Sequence, residues 1–333
     1  MLIDEHPVRI GLLGARSWIA GQAVIPAIGA SSGCTLAAVA AAGGPVPDHL
    51  AHLDVGTYDA VLADPSVDAV YVPLPNGLHR SWVERAAAAG KHVLCEKPLG
   101  VDADDAAAMT AACAAAGVLL AEAWMTPFGA RWAEVMNRAA AGDLGDVRHV
   151  RGDFTFALET GRLDNYRWDP AQGGGALLDV GIYALGAAVA LWGAEPVEVA
   201  ATAVPTVTGV DATTSMWCDW GDGRTASALV SFELPERQRL ELVGTTALIV
   251  VDGPAFTGGA AAISYERQPL EGDREVVTTV GDDPYLAMVE AFARAVRGIA
   301  PWPRPASEAV ALARLLDRVR AASTCPEPHR GRP

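Results

Sequence analysis

Gly90-Lys91-His92-Val93-Leu94-Cys95-Glu96-Lys97-Pro98-Leu99 reads as a short apolar strand, His92–Cys95, that runs into a charged turn closed by proline. Twenty residues earlier, Tyr71-Val72-Pro73-Leu74-Pro75-Asn76-Gly77-Leu78-His79 follows the same plan, with the strand Ala69–Pro73 leading into a polar loop. Between them, Leu78, Trp82, Ala86 and Ala89 fall on one face of a helix over Leu78–Ala89, and Gly90 stops it. Strand, helix, strand is a βαβ unit, so the two strands lie parallel. Open parallel sheets bind ligands beyond the carboxyl ends of their strands, and both loops fall there. Pro98 holds Lys97 in an extended backbone at that edge.

The same alternation extends in both directions. Val8–Leu13 reads as a first strand, Gly14–Ser17 as a turn, and Trp18–Ile28 as a helix that Pro26 should kink or shorten. Leu36–Ala40 is a second strand. Asp102 reads as the N-cap of an alanine-rich helix ending at Gly117, and Val118–Ala123 as a fifth parallel strand. Residues 1–124 therefore form an N-terminal doubly wound, Rossmann-type α/β domain.

Beyond it the texture changes. A helix over Ala130–Ala141 and a strand over Val147–Phe156 precede Gly173-Gly174-Gly175 and a long helix, Ala176 to Trp192. Five β-type runs follow: Val197–Val204, Thr213–Asp219, Thr225–Leu234, Arg239–Val243 and Ala247–Val251. Strands this close, without crossover helices, predict a mostly antiparallel open sheet. Helices over Tyr285–Arg297 and from a Ser307 cap to Ala322 complete an α+β domain over 125–323. A proline-bearing tail, 324–333, is expected to be flexible.

Bulk properties narrow the function. A chain of 333 residues, 51% hydrophobic and 20% charged, has ample core for two domains. Its net charge of -15 argues against nucleic acid, whose phosphates need a basic surface. Cys34, Cys95, Cys113, Cys218 and Cys325 form no C-x-x-C pair, which favours free thiols, a reducing compartment and no zinc site. The N-terminus lacks a signal-peptide layout, and no apolar run reaches the ~18–20 residues of a membrane span. A cytoplasmic protein without membrane or metal partners is expected.

A dinucleotide loop wants glycines between the first strand and the first helix, so that N–H groups approach the pyrophosphate. Here Gly14-Ala15-Arg16-Ser17-Trp18-Ile19 fills that place, with Arg16 and Ser17 where one glycine is expected. Arg16 is a candidate to meet a phosphate directly. The second strand ends Ala40-Ala41-Ala42-Gly43-Gly44, with neither the acid that marks NAD nor the base that marks NADP, so both cofactors stay open.

Three motifs now stand in order: P-x-P-N-x-x-H from Pro73 to His79, G-K-H-V-L-x-E-K-P from Gly90 to Pro98, and G-G-G-A-L-x-D-x-G-x-Y from Gly173 to Tyr183. Together they resemble the glucose–fructose oxidoreductase, inositol dehydrogenase and rhizopine catabolism family. Ala121-Glu122-Ala123-Trp124-Met125 and Pro284-Tyr285 extend the likeness over nearly the whole chain. The tract from Asp169 to Gly193 looks like the sugar 3-ketoreductases and like the dihydrodiol or xylose dehydrogenases. Glu122 to Phe128 departs from relatives that carry histidine near Phe128.

The resemblance implies an NAD(P)-dependent oxidoreductase that moves a hydride between nicotinamide C4 and a keto or hydroxyl carbon of a sugar, nucleotide-sugar or cyclic polyol. It implies Lys97, Asp179 and Tyr183 as catalytic residues, with Tyr183 as general acid/base, Lys97 assisting, and Asp179 orienting the lysine or a substrate hydroxyl. Asp179 and Tyr183, four apart, share a helix face, and Gly181 between them suggests a close approach by a neighbour. Pro73, Leu74, Asn76, His79, Glu96 and Lys97 are expected on the nicotinamide side, with Trp168 and Tyr285 near cofactor and substrate. A homodimer or homotetramer through the C-terminal sheet is also implied. The same hydride geometry suits an imine or non-sugar carbonyl, and the fold alone suits a catalytically silent NAD(P)-sensing regulator.

Overall fold

The fold is described from a computed structural model, over residues 6–43, 46–50, 53, 55–159, 165–193, 195–257 and 262–325. Of the tail expected over 324–333, everything past Cys325 lies outside the described residues.

β1 (Val8–Leu13) is buried except for Arg9, as a strand covered on both faces must be. Helical turns start at Trp18, pass through a π segment at Ala20–Val24 and continue as α1 (Ile25–Ala30). Pro26 brings no N–H, and its ring clashes with the carbonyl four residues back. The helix takes the wider π spacing just before it and runs only six residues further as α1. β2 (Cys34–Ala40), β3 (Val55–Gly56), α2 (Tyr58–Ala63), β4 (Ala69–Val72), α3 (His79–Ala88) and β5 (His92–Glu96) follow. α4 (Ala103–Ala116) opens on Asp102, whose carboxylate accepts from Asp105 N at 2.8 Å, and closes on Gly117 at φ 68°. β6 (Leu120–Ala123) completes the run.

These strands form one parallel sheet in the order β3-β2-β1-β4-β5-β6. The order reverses between β1 and β4, which in this architecture marks the ligand crevice. The expected fifth strand is the sixth. β3 has two residues and α2 has six, too short for either period to register in sequence.

The chain continues through α5 (Ala130–Ala140), β7 (Val147–Ala157), α6 (Ala176–Trp192), β8 (Glu198–Pro205), β9 (Asp211–Asp219) and β10 (Thr225–Ser231). Then come β11 (Glu233–Gly244), β12 (Ala247–Asp252), β13 (Ile263–Pro269), β14 (Glu275–Thr279), α7 (Pro284–Val296), α8 (Ala306–Ala322) and β15 (Ser323–Thr324). The second sheet has nine strands, β14-β13-β12-β11-β7-β10-β9-β8-β15, parallel at β7/β10 and β8/β15 and antiparallel elsewhere. α6 packs on β7, β9 and β10. The close approach comes from Gly152 of β7, where a Cβ would run into the carbonyl of Ala184. At Gly181 a Cβ would meet only the side chains of Leu316 and Leu177.

The chain divides into two compact units: residues up to Phe128 with Asp283–Val310, and Gly129–Asp282 with the residues from Ala311 on. A line drawn at 124/125 follows chain order, whereas packing assigns α7 to the first unit. Glu290 Oε1 accepts from Ser31 Oγ at 2.7 Å and from Ser32 N at 2.8 Å, tying α7 to the turn before β2. α8 starts at Ala306, so Ser307 lies inside its first turn instead of capping it.

Cys34, Cys95, Cys113 and Cys218 are buried thiols outside any disulfide, and Cys325 is exposed. Burial pushes Cys34 and Cys218 up to about 12, which makes them packing residues rather than nucleophiles. Among the described residues no helix is long and apolar enough to cross a membrane, and no group of side chains could hold a metal ion.

Candidate active site

In the first unit, the carboxyl ends of β1, β4 and β5 carry the expected residues. Gly14 has φ +131°, a backbone that favours glycine, and a Cβ there would sit 3.2 Å from Leu74 and 3.4 Å from Pro73. The loop after β1 thus touches the loop after β4 where the sheet order reverses. Gly14 N and Ala15 N both donate to Ala40 O, at 3.0 and 2.9 Å, drawing the loop toward the end of β2. Ser17 Oγ accepts from Ala20 N at 3.4 Å. Arg16 is exposed, and its Nη1 donates to Gly43 O at 2.9 Å. Trp18 is 76% exposed, Ile19 half-buried and Ala15 buried. Burial raises the Tyr58 pKa, while the Ala42 N–H and the charge of Arg16 oppose it, so Tyr58 borders the same strand end.

His79 is fully buried. Its Nε2 lies 2.8 Å from Leu74 O, and its Nδ1 lies 3.1 Å from Pro98 O and 3.2 Å from Leu99 O. Burial pushes the ring's pKa down, against the pull of these carbonyls. His79, expected on the nicotinamide side, joins the loop after β4 to the turn after β5. Asn76 is buried at the start of the turn that leads into α3.

The Lys97–Pro98 peptide is cis, and Lys97 is half-buried. Glu96 is buried and uses both oxygens: Oε1 accepts from Tyr71 Oη at 2.7 Å and Oε2 from Lys97 N at 3.2 Å. It props the turn from within. Leu99 N donates to Glu122 Oε1 at 3.0 Å. Tyr285, in the first turn of α7, lies close enough to Tyr71 to raise its pKa further, after burial and Glu96.

In the second unit, Asp179 and Tyr183 stand one turn apart on α6, 4% and 6% exposed. Asp179 is gripped by Arg167, Nε to Oδ2 at 2.7 Å and Nη2 to Oδ1 at 3.3 Å. Burial works against the Arg167 charge, but Asp179, with smaller help from Tyr166 and Tyr183, holds its pKa above the ordinary arginine value. One partner of Asp179 is therefore an arginine that sequence reading did not single out. Tyr183 meets Phe154 at 5.2 Å and Phe256 at 6.1 Å between ring centres. Trp168 is 5% exposed and packs on Phe232, and its Nε1 has no hydrogen-bond partner among the described residues.

Two signals in the sequence went unused. Of 25 lysines and arginines only Lys91 and Lys97 are lysine, so a compact, titratable ammonium is kept at just two places. Lys91 caps the carbonyls of Asp64 and Val67, both at 2.7 Å, which leaves Lys97 as the lysine at the crevice edge. Arg167 was visible in Tyr166-Arg167-Trp168-Asp169, but one arginine in an aperiodic stretch gives no hint of its partner.

Residues 8–123 match the model of an oxidoreductase family with an NAD-binding Rossmann fold, and residues 132–250 match the C-terminal domain model of the same family. The NADP-dependent D-xylose 1-dehydrogenase 2 of Haloferax volcanii is 40% identical over 93% of this chain and 95% of its own. The chain belongs to the glucose–fructose oxidoreductase, inositol dehydrogenase and rhizopine catabolism family. A dTDP-3,4-didehydro-2,6-dideoxy-alpha-D-glucose 3-reductase of Streptomyces violaceoruber is 34% identical over 95% of both chains. A solved 3-ketoreductase from Actinomadura kijaniata, in complex with NADP and TDP-benzene, superposes with a TM-score of 0.89 at 28% identity, covering 96% of this chain and 99% of its own. That reductase has also been solved with a tyrosine replaced by phenylalanine and with a lysine replaced by alanine.

This family member is thus an NAD(P)-binding oxidoreductase. Its own residues fit the dinucleotide. Gly14, at φ +131°, carries no side chain that would come between the loop's backbone and a pyrophosphate, and Arg16 stands exposed at the end of β2. Ala41, Ala42 and Gly43 set no carboxylate against a phosphate there.

Proposed function

We propose that the protein is an NADP(H)-linked dehydrogenase or reductase acting on a keto or hydroxyl carbon of a sugar, nucleotide-sugar or cyclic polyol. Tyr183 is its general acid/base, assisted by Lys97 and Asp179. The observation that carries the reading is the braced turn after β5, which presents the crevice-edge lysine at the ligand-binding edge of a sheet with Rossmann strand order. The names of the relatives, a xylose dehydrogenase and dTDP-keto-sugar reductases, supply the substrate class.

A nicotinamide bound here would supply the hydride in reduction and accept it in oxidation. The Lys97 ammonium hydrogen-bonds the reacting oxygen and stabilises the negative charge it gains during reduction. Tyr183 Oη gives that oxygen a proton in reduction and takes it back in oxidation. Arg167, fixed by Asp179, sets a cation near the phenol. Gly14 to Ile19 would hold the pyrophosphate side, Arg16 a phosphate, and Pro73, Leu74, Asn76, Trp168 and Tyr285 would serve nicotinamide and substrate. His79 and Glu96 keep the two loops in place. We place the enzyme in the cytoplasm as a homodimer or homotetramer joined through the nine-stranded sheet.

Calorimetry with NADPH and NADH, followed by nicotinamide absorbance with D-xylose, dTDP-keto-sugars and a panel of imines, tests the reading. Binding of NADPH and turnover on a sugar are expected. Binding without turnover on any carbonyl, unaltered by Lys97→Ala, would instead indicate a sensor, and failure to bind either nicotinamide would sink both.

A further inference from the structure

Buried side chains hold the backbone of the turn after β5 from several sides. Glu96 takes the Lys97 N–H, His79 faces the Pro98 and Leu99 carbonyls, and Glu122 of β6 takes the Leu99 N–H. Glu122 differs from the others in its second oxygen. Oε2 is buried without a hydrogen-bond partner among the described residues. It lies 3.6 Å from Arg304 Nη1, which is equally buried and without one. That separation is too long for a hydrogen bond, so the two are joined by charge. The side chains are 5% and 8% exposed. Arg304 also lies 4.3 Å over the Trp124 ring, with Nη2 at 3.3 Å from Glu308 Oε1.

Desolvating a carboxylate and a guanidinium is costly. A glutamine at position 122 would accept the Leu99 N–H just as well and would need no arginine. The hydrogen bond to the turn therefore does not account for the charge. Among the groups that act on Glu122 are Arg304, Glu308, Cys95 of β5 and Lys97.

We propose that Glu122 is a positioning residue for Lys97: paired with Arg304, it fixes the Lys97-Pro98-Leu99 turn and keeps a negative charge near the ammonium. The proposal rests on the reading of Lys97 as a catalytic residue. Burial, with a smaller push from Glu308, raises the Glu122 pKa above the usual glutamate value, and Arg304, the Leu99 N–H and Lys97 oppose that rise. Lys97 for its part is also near Glu96 and His79. Once Glu122 is neutral, the ammonium loses an anionic neighbour and releases its proton at lower pH.

The two-lysine composition makes this measurable. Reductive methylation with ¹³C-formaldehyde labels Lys91, Lys97 and the N-terminal amine of the full-length protein, and Lys97→Arg identifies the Lys97 signal. In Glu122→Gln, the Lys97 titration midpoint is expected to fall by about one pH unit. Lys91 should stay where it is. Arg304→Met leaves Glu122 buried without its cation and is expected to lower the Lys97 midpoint in the same direction, by less, because a repulsive charge is also removed. It serves equally well if Glu122→Gln does not fold. The pH profile of kcat should move with the Lys97 midpoint while NADPH affinity holds. A Lys97 midpoint unmoved in the folded variants overturns the proposal. Full turnover in Lys97→Ala would instead overturn the catalytic reading of Lys97, leaving the titration to judge Glu122 on its own.

Discussion

Tyr183 and Arg16 are the residues on which single substitutions tell most. Tyr183→Phe keeps the ring against Phe154 and Phe256 and removes the proton. Turnover is expected to fall roughly 10²–10⁴-fold, with cofactor affinity near normal in calorimetry. An undiminished rate would take Tyr183 out of the chemistry. Arg16→Ala leaves the loop bonded to Ala40 through Gly14 and Ala15 but removes the cation beside Gly43. If Arg16 meets the 2′-phosphate, NADPH affinity drops by about tenfold, in line with the loss of a charge-assisted contact. NADH affinity would barely change, and equal losses for both would move Arg16 to the pyrophosphate instead. Candidates of this kind were legible because glycines and prolines mark the backbone around them. Arg167 and Glu122 were not, since what matters is a partner 12 and 23 residues away along the chain.

α7 and α6 are the elements whose packing was least visible in sequence, and each has a single residue that exposes it. α7 shows a clear apolar stripe, but a stripe does not say which sheet it covers. Glu290 answers, through Ser31, Ser32 and Gly33. Burial works against the Glu290 carboxylate, yet these donors outweigh it and hold its pKa below the ordinary glutamate value. A depressed carboxylate contributes stability above its unfolded-state pKa and loses it as pH falls through the folded one. Glu290→Ala should therefore lower Tm at neutral pH by a few degrees, from about 1–2 kcal/mol of charge-assisted bonding, and the gap to the parent should close below about pH 4.5. A gap that stays constant as the pH falls well below that value would deny the carboxylate its part. For α6, Gly152→Ala puts a methyl group into the Ala184 carbonyl. Helix and sheet must separate, and a loss of about 1–3 kcal/mol is expected in denaturant unfolding. The triple glycine and apolar run gave α6 its bounds. β13 and β14 stayed hidden because the exposure of β14 shows no clean alternation, and β14 is the edge strand with β13 next to it.

For the whole molecule, the proposed assembly sets a net charge of -15 on each copy against a sheet face that α6 does not cover. On β9, Ala212, Thr214, Met216 and Cys218 are buried, and the alternate positions Ser215 and Trp217 are exposed, Trp217 by 37%. Trp217 pairs with Ser227 of β10, which bonds the ring of His149 from β7 at 3.0 Å, so all three share that face. An aromatic among hydroxyls and a histidine is a fair centre for an interface between identical surfaces, where tryptophan anchors are enriched. Two copies of like charge repel at long range, and salt shortens that range to about 8 Å at physiological ionic strength. Association through this face should consequently tighten as salt rises, the reverse of an interface held by ion pairs. In sedimentation velocity the parent protein is expected to run as a dimer or tetramer that is favoured by added salt, and Trp217→Glu, which buries a further negative charge at the same spot, should shift it toward monomer. A parent protein that stays monomeric at every salt concentration, or a Trp217→Glu variant that assembles unchanged, would remove the sheet face from the assembly and leave the open strands needing another explanation.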